Sequence, residues 1–503
     1  MIRSFRLISS CLFVALSCWS CAQEPGEGPP TVAVDAPTGT RIAQTLESRI
    51  PDLMEKALIP GLSICVIDGS EIAWCGAFGV TDSGASRPVG ATTAFQAASL
   101  SKPVFAYTVL RLVDREVLDL DRPLVEYVGL ERARDLHLGG GFDDPRVEKI
   151  TARMVLTHTS GFPNWRQHGE LTMLFEPGDR FSYSGEGFGL LQHVVEEITD
   201  TTLEDLVHTH AFEPLRMTNS TYTAANIDLS DYAWPHDGAG VPDPRPDDLE
   251  ARLAKARPHA AASLTTTATD YARFLIALVN GTGLEPTTFS ELVRPQSAVT
   301  EDGEVSWGLG TGLERSSTGG GVWHWGDNQD SKAFYAADTA TGFGLVYFAN
   351  SFNGLGIVGE LLEIAMPGEH PLLEGAIVSS YPAYDSPGFA FSSAVYSGGA
   401  EAAVSVIRRS QNEVGTAEVP EGTINRMGYW LVGQGRIDEA ITVFELNVEL
   451  YPEAWNVYDS LGEAQLEKGL RKKALANYRR SLELNPENQG ARRVLTEAGV
   501  IRP

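Results

Sequence analysis

The sequence has 503 residues, and its 43% content of apolar residues is enough for more than one hydrophobic core. Acidic residues outnumber basic ones by 66 to 39, which gives a formal net charge of −27 at pH 7. A chain this acidic repels the phosphates of nucleic acid, so the composition argues against DNA and RNA as partners. The length of the chain predicts two or three domains.

The first residues are typical of a secretory signal. Arg3 and Arg6 precede an apolar run at residues 7–16, and mostly small residues follow at 17–22. The apolar run is too short to span a bilayer as a mature anchor, so we predict that residues 1–22 are a signal peptide. The mature protein is then expected to be exported, to the periplasm or outside the cell, with no transmembrane helix.

The cysteines leave two questions open. A lipoprotein anchor through Cys18 or Cys21 is the alternative to simple secretion. Residues 23–39 are acidic and rich in proline and glycine, which predicts a disordered leader. In the mature chain Cys65 and Cys75 flank a hairpin turn signal, and an oxidising compartment permits a disulfide between them. Two small core residues are an equally good interpretation of that pair.

The apolar pattern then predicts the elements of one domain over residues 40–366. A helix at 41–58 is followed by two strands at 61–68 and 72–80. The middle of the domain is predicted to be helical, with helices at 102–115, 187–198 and 270–280. Strands follow at 307–314, 321–325, 332–337 and 343–350, and a closing helix is predicted at 355–365. Strands from both ends are expected to share one antiparallel sheet, with the central helices as a lobe beside it.

An internal repeat follows a proline-rich linker that we predict at residues 367–393. Six residues recur 34 positions later, namely Gly428, Gly435, Ala440, Phe444, Leu450 and Pro452 as Gly462, Gly469, Ala474, Tyr478, Leu484 and Pro486. This spacing resembles the tetratricopeptide repeat, which has small residues where its helices cross and a proline after the second helix. We therefore predict an all-helical repeat domain over 394–503 that docks a protein partner, with an unrelated helical bundle as the alternative.

The sequence FQAASLSKP at residues 95–103 leads into a long apolar helix. Pro103 is tolerated only where a helix has just begun, which places Ser99 at or near a helix N-terminus. There the helix dipole favours the negative charge that develops during acyl transfer. Lys102 follows one turn later, and partial burial would let its amine accept the Ser99 proton. A serine N-cap beside a solvated lysine is the alternative interpretation.

Two further segments give the Ser99 pattern its context. FEPGDRFSYSG at 175–185 carries Tyr183, and GVWHWGD at 321–327 carries His324 on a late strand. Alone, each residue is more typical of packing, Tyr183 as a half-buried loop aromatic and His324 as a core residue between two tryptophans. Together and in this order, the three motifs resemble the serine β-lactamase and penicillin-binding-protein superfamily. The similarity is to its class C-like branch, which contains family VIII esterases and D-amino-acid peptidases.

The resemblance implies a role for each motif residue. It makes Ser99 the nucleophile and gives Lys102 and Tyr183 the proton transfers, with the Lys102 cation lowering the pKa of the Tyr183 phenol from about 10. It gives His324 the task of holding substrate charge or relaying a proton. The backbone N–H groups of Ser99 and Asp327 would form the oxyanion hole.

Two glycines complete the expected binding site. Gly326 would let substrate approach the edge of its strand. Gly185 stands where the lactam-binding members have the Asn of Tyr-x-Asn, whose amide bonds the acylamino group of the substrate. Because that amide is missing and His324 replaces a lysine, we expect esters or peptides to be better substrates than cephalosporins. Glu186 or a loop residue that replaces the amide is the alternative.

The resemblance thus implies an α+β fold of the β-lactamase and transpeptidase type, followed by the helical repeats. We expect an exported serine hydrolase acting on esters or on peptides or amides, including cell-wall-derived ones, and a decayed sensor or scaffold is the alternative. The chain lacks a Walker loop and the HExxH and GxSxG motifs, so we expect no metal and no cofactor. His208 and His210 are two residues apart on a predicted helix, which argues against a zinc site. Residues 156–161 and 260–266 resemble structural segments of the family, to which we assign no chemistry.

Overall fold

The computed structural model describes residues 39–166, 169–315, 320–375, 377–410 and 419–502. The predicted signal peptide, both candidate anchor cysteines and the predicted leader up to residue 38 lie outside the described residues. Within the described ranges, no helix combines the length and the apolar character needed to cross a membrane.

The described strands are β1 (Gly61–Asp68), β2 (Glu71–Asp82), β3 (Arg87–Pro88), β4 (Phe95–Gln96), β5 (Thr265–Thr266), β6 (Ser297–Ala298), β7 (Val305–Trp307), β8 (Gly312–Glu314), β9 (Gly321–Asp327), β10 (Lys332–Asp338) and β11 (Gly344–Ala349). Nine of these form one antiparallel sheet in the order β3-β2-β1-β11-β10-β9-β8-β7-β6, while β4 and β5 pair separately. Because β1 pairs with β11, strands from both ends of the segment meet in the middle of the sheet, as the sequence predicts.

The prediction of a single strand at 307–314 is wrong. The chain turns between β7 and β8, which pair with each other, and Gly310 in this turn has a φ of +88° that favours glycine. Leu309 is buried within the turn, so the apolar pattern continues through it and hides the reversal from the sequence.

Twelve helices accompany the sheet in the described part of residues 39–365, which we call the first region. They are α1 (Gly39–Ala57), α2 (Ser101–Val113), α3 (Val125–Val128), α4 (Leu130–Ala133), α5 (Ala152–Leu156), α6 (Gly185–Thr199), α7 (Leu203–Val207), α8 (Glu213–Leu215), α9 (Leu249–Lys255), α10 (Ala268–Asn280), α11 (Pro286–Leu292) and α12 (Val358–Ala365). The apolar faces of α1 and α12 pack on one side of the sheet, and α2, α10 and the helical lobe pack on the other. Both faces of β1 are therefore buried, which explains its continuous apolar run.

Cys65 and Cys75 lie directly opposite each other on β1 and β2. Their Cα atoms are 4.1 Å apart and their sulfur atoms form a disulfide. Of the two interpretations that the sequence leaves open, the structure therefore has the cross-strand bridge.

The segment after α12 packs against the nine-stranded sheet. Leu372 and Val378, from two short 3₁₀ turns, are buried in the core on the α1 side of the sheet. Helix α13 (Pro387–Ser410) then begins inside the predicted linker, and it breaks at Gly399, where φ is +74°. The residues after α12 thus wrap over the first region before the C-terminal helices begin.

Five more helices follow in the described residues, α14 (Glu421–Gly433), α15 (Ile437–Leu450), α16 (Trp455–Glu467), α17 (Arg471–Leu484) and α18 (Gln489–Glu497). Positions 34 residues apart make equivalent contacts. A Cβ built on Gly428 would lie 2.3 Å from the Phe444 ring, and one on Gly462 would lie 3.3 Å from the Tyr478 ring. Small residues at these crossings let the helices approach, so the helical region fits the predicted repeat, whose family stays a prediction.

An aromatic cluster joins the C-terminal helices to the first region. The Tyr396 ring of α13 lies 5.8 Å from the Phe352 ring, which follows β11, and 4.7 Å from the Trp430 ring of α14. The same tyrosine packs on Gly238, where a Cβ would lie 2.0 Å from its ring. The position of α14 is therefore tied to loops of the first region.

Candidate active site

Ser99 lies in a 3₁₀ turn, Ala98–Leu100, that leads directly into α2. Pro103 is the third residue of α2, where its missing N–H interrupts no hydrogen bond of the helix. Ala98 has a φ of +48°, a left-handed conformation that residues other than glycine rarely adopt and that often occurs at functional sites. Ser99 therefore stands at a helix N-terminus on a constrained turn, where the sequence places it.

Lys102 is buried directly behind this turn. Its Nζ lies 3.1 Å from the Ser99 Oγ and 3.0 Å from the carbonyl oxygen of Ala261, and its side chain has no exposed surface. The rings of Tyr183 and Phe188 lie 4.6 and 5.7 Å from the same Nζ. Burial among these groups lowers the pKa of Lys102 well below its usual value, because the charged amine loses its hydration.

Tyr183 is positioned by His158, a residue for which the sequence predicted no role. The backbone N–H groups of Ser182 and Ser184 donate to the carbonyl oxygen and to the Nδ1 of His158, at 2.8 and 3.0 Å. The His158 ring also lies 4.2 Å from the Tyr183 ring. Residues 156–161 therefore hold Tyr183 in place, and their resemblance to a recurring family segment was the available signal.

The expected effect of Lys102 on Tyr183 is not found. Burial raises the pKa of the Tyr183 phenol well above its usual value, and the adjacent Ser99 hydroxyl offsets only part of this rise. The Tyr183 hydroxyl is buried and has no hydrogen-bond partner among the described residues. Burial thus disfavours the ammonium form of Lys102 as well as the phenolate form of Tyr183, so the pKa of the amine falls while that of the phenol rises.

Strand β9 passes immediately beside the Ser99 turn at Gly326. A Cβ on Gly326 would lie 2.5 Å from the carbonyl oxygen of Ala97, so only glycine fits there. The expectation that Gly326 makes room for substrate is therefore corrected, since the turn that carries Ser99 takes that room. This close contact brings the backbone of Asp327 to the same cleft as Ser99.

The Asp327 carboxylate is held from two sides. Its Oδ1 is 2.7 Å from the buried Nζ of Lys332, and its Oδ2 accepts a hydrogen bond of 2.8 Å from the Tyr381 hydroxyl. Burial alone would raise the pKa of Asp327, but the Lys332 ion pair outweighs it and the net shift is downward. Asp327 is thus a fixed negative charge next to Ser99.

The buried position of His324 argues against a role in holding substrate charge, whereas the proton relay that the resemblance also implies stays a prediction. Its side chain has no exposed surface, and its Nδ1 donates to the carbonyl oxygen of Trp325 at 2.7 Å. Burial, with a smaller effect of Lys102, lowers the pKa of His324 to about 3, so the imidazole is neutral. The next residue of β9, Trp325, lines the cleft instead.

Gly185 serves a nearby loop rather than the substrate. Its N–H donates to the backbone oxygen and the Oδ1 of Asn164 at 3.0 and 3.1 Å, and a Cβ there would lie 2.8 Å from the Asn164 backbone oxygen. Glu186 does not replace the missing amide, because its carboxylate is bound by Arg166 and lies 3.2 Å from the Nε2 of His137. The loop residue Asn164 lines the cleft, and its replacement of the missing amide stays an alternative.

The cleft has a volume of about 570 Å³, which suits a small-molecule substrate. Its described lining consists of Ser99, Asn164, Trp165, Tyr183, Ala262, Trp325, Asp327, Asn328, Gln329 and Tyr381. None of these described residues is a lysine, arginine or histidine, and Asp327 carries the one formal charge. The sequence predicted Ser99, Tyr183 and Asp327 as site residues but not the rest of this wall. Tyr381, for example, lies in a segment with no motif. The described residues contain no group of three or more His, Cys, Asp or Glu side chains suited to a metal ion.

Comparisons with curated proteins link the chain to esterases and penicillin-binding proteins. Esterase EstB of Burkholderia gladioli is 27% identical over 307 residues, covering 51% of this chain and 76% of the esterase. Penicillin-binding protein 4* of Bacillus subtilis (strain 168) is 25% identical over 288 residues, covering 52% of this chain but only 56% of that protein. The chain therefore spans little more than half the length of the second relative.

Solved structures share the fold. EstCE1, described as a hydrolase with promiscuous acyltransferase activity, superposes with a TM-score of 0.56 and 18% identity over 66% of this chain and 99% of its own. The octameric penicillin-binding protein homologue from Pyrococcus abyssi gives a TM-score of 0.52 and 20% identity over 67% of this chain and 80% of its own. Residues 46–362, well over half of the chain, match the sequence profile named Beta-lactamase. The chain belongs to the Beta-lactamase family.

Proposed function

We propose that this protein is a serine hydrolase that forms an acyl-enzyme on Ser99 and prefers small esters that carry no carboxylate. The observation that carries the proposal is the fully buried amine of Lys102, which lies 3.1 Å from the Ser99 hydroxyl and whose pKa is lowered by burial. A neutral amine in that place can take the serine proton as the oxygen attacks a carbonyl carbon.

The acylation step follows from the positions of these groups. The Ser99 proton passes to Lys102 Nζ while the Ser99 Oγ bonds to the carbonyl carbon. The negative oxygen that results faces the N–H groups of Ser99 and Asp327, of which the first stands at the start of a helix and has no intrahelical partner. The ester C–O bond to the leaving group then breaks, and the Tyr183 phenol donates its proton to the departing alkoxide and recovers one from Lys102. Water then releases the acyl group by the same steps in reverse.

The charge of the cleft supports a neutral substrate. The described lining has no cation to bind a carboxylate, and its one carboxylate, that of Asp327, is already paired with Lys332. The aromatic rings of Trp165, Tyr183, Trp325 and Tyr381 suit an apolar acyl or alcohol group. The similarity to esterases points in the same direction, and amides or peptides without a nearby carboxylate are the second substrate class.

Export belongs to the proposal as well. The basic and apolar pattern of residues 1–22 supports a signal peptide, and the Cys65–Cys75 disulfide is of the kind that persists in an oxidising compartment. A lipoprotein anchor through Cys18 or Cys21 stays the alternative to simple secretion. Docking of a protein partner by the C-terminal helices stays a prediction from the 34-residue period.

The proposal is tested by labelling the purified mature protein with a fluorophosphonate and by measuring turnover of short-chain aryl esters. We expect the label on Ser99, and we expect Ser99→Ala to lose both label and turnover at an unchanged melting temperature. Wild-type protein that neither labels at Ser99 nor turns over any ester, amide or lactam would contradict the proposal and favour a decayed sensor.

A further inference from the structure

A residue from outside the family-matched region lines the active-site cleft. The match to the family ends at residue 362, whereas Tyr381 lies beyond it, directly after the 3₁₀ turn Val378–Ser380. Tyr381 nevertheless shares the cleft with Ser99 and Trp325. The hydrolase region alone therefore does not complete the wall of its own cleft.

The Tyr381 side chain reaches the strand next to the nucleophile. Its hydroxyl donates to the Oδ2 of Asp327 at 2.8 Å, while Lys332 and the N–H of Gln329 hold the Oδ1 at 2.7 and 2.8 Å. All the carboxylate contacts of Asp327 thus fix the end of β9, whose backbone N–H faces the proposed oxyanion. The Tyr381 ring remains as a surface of the cleft.

The C-terminal helices hold Tyr381 in this position. The guanidinium of Arg426, on α14, lies 5.1 Å from the centre of the Tyr381 ring, and its Nη2 donates to the Ser380 carbonyl oxygen at 2.7 Å. The preceding helix α13 is tied to α14 and to the first region through Tyr396. A displacement of α14 would therefore move Tyr381 and loosen Asp327.

We propose that Tyr381 is a specificity-determining residue that contacts the apolar group of the substrate, and that Arg426 is the positioning residue through which α14 holds it there. This inference rests on the proposed ester hydrolysis. It gives the C-terminal helices a direct effect on substrate choice, since Tyr381, Trp325 and Trp165 together present an aromatic surface to an acyl or alcohol group.

The test compares aryl esters of increasing acyl length on full-length variants. Tyr381→Ala is expected to raise KM by about tenfold for the longest apolar acyl group and to flatten the length preference, since one aromatic contact contributes on the order of a factor of ten. Arg426→Gln should reproduce the change in part, and Arg426→Lys should alter the length preference less than Arg426→Gln does, because lysine keeps a cation near the ring. Tyr381→Phe should keep the length preference and lower kcat, as it loses only the bond to Asp327.

Arg480→Gln is the matched control, because Arg480 lies 5.8 Å from the Tyr458 ring elsewhere in the C-terminal helices. It should leave the length preference unchanged. If wild type hydrolyses esters and labels at Ser99 but Tyr381→Ala and Arg426→Gln keep wild-type KM values across the series, the inference is wrong while the proposed function stands. If wild type has no Ser99-dependent hydrolysis, the proposed function itself fails and takes this inference with it.

Discussion

Gly326 on β9 lies so close to Ala97 that the two backbones touch, and a Cβ on Gly326 would come within 2.5 Å of the Ala97 carbonyl oxygen. Ala97 immediately precedes the turn that carries Ser99. The distance between the proposed oxyanion donors, the N–H groups of Ser99 and Asp327, is therefore set by the absence of a side chain at one position of the strand.

This contact predicts the effect of Gly326→Ala. The added methyl group must push β9 away from the Ser99 turn and so displace one oxyanion donor, and loss of such a donor typically lowers kcat by about 100- to 1,000-fold. Steady-state ester hydrolysis measures the effect. Gly359→Ala is the control, because a Cβ at that exposed position of α12 meets no atom within 4 Å and should leave kcat unchanged. An active Gly326→Ala enzyme would show that the oxyanion lies elsewhere.

The buried amine of Lys102 is expected to be required for activity and at the same time to lower the stability of the fold at neutral pH. Since its pKa is lowered by burial, activity should fall as the pH drops through that lowered pKa and the amine gains a proton. Lys102→Arg should be inactive across the whole pH range, because a guanidinium does not release its proton. Lys102→Met should also be inactive but should melt at a higher temperature at neutral pH, since folding then no longer desolvates an amine that is charged in the unfolded chain.

Ester turnover against pH and thermal melting of the three proteins test this prediction. Charge alone would suffice for catalysis if Lys102→Arg were fully active. A lower melting temperature for Lys102→Met at pH 7 would mean that the amine stabilises the fold.

Two neighbouring carboxylates near the cleft, those of Asp330 and Asp243, are expected to make the stability of the fold depend on pH. Asp330 lies in the turn between β9 and β10, and burial together with the nearby Asp243 raises the pKa of Asp330 to about 7. The folded protein therefore holds a proton that the unfolded chain, with a pKa of about 4, releases. The stability that this proton provides is present at low pH and is lost as the pH rises from about 4 to about 7.

Asp330→Asn should remove this loss, because an amide stays neutral beside Asp243. Thermal melting between pH 5 and pH 8 should show a smaller decline for the variant than for wild type. Asp68→Asn removes a carboxylate from the exposed end of β1 and serves as the charge-matched control. Parallel melting curves for Asp330→Asn and wild type would mean that Asp330 is ionised throughout.

Three residues show what could not be predicted from the sequence, namely His324, Asn164 and Tyr381. Local signals placed Ser99 at a helix start and Lys102 one turn along, because helix periodicity and proline chemistry act over a few residues. They did not show that Trp325 rather than His324 lines the cleft, since the orientation of a strand is set by what packs on each face. Asn164 and Tyr381 reach the cleft through loops whose paths depend on contacts distant in sequence.

The same cleft predicts weak action on β-lactams. A cephalosporin carries a carboxylate and an acylamino group, and the family positions that would bind them hold a neutral, buried His324 and Gly185. Asn164 lines the cleft, but its Oδ1 already accepts one hydrogen bond from Gly185, which occupies part of its capacity to accept from the substrate. The described residues of the cleft wall offer the carboxylate no cation.

A charge-assisted hydrogen bond contributes about 1.5 to 3 kcal/mol. The missing bond to the cephalosporin carboxylate would therefore account for most of the expected preference for esters. We expect kcat/KM for an aryl ester to exceed that for a chromogenic cephalosporin by at least about 100-fold, which corresponds to about 2.7 kcal/mol of transition-state discrimination. An aryl ester and its analogue with a carboxylate on the acyl chain form the matched pair, and the neutral member should be preferred. Asn164→Ala should lower turnover of acylamino-bearing esters more than that of simple ones. Cephalosporin turnover that matched or exceeded every ester would show that a cation reaches the cleft during the reaction, and would assign the protein to the lactam-hydrolysing members of its family.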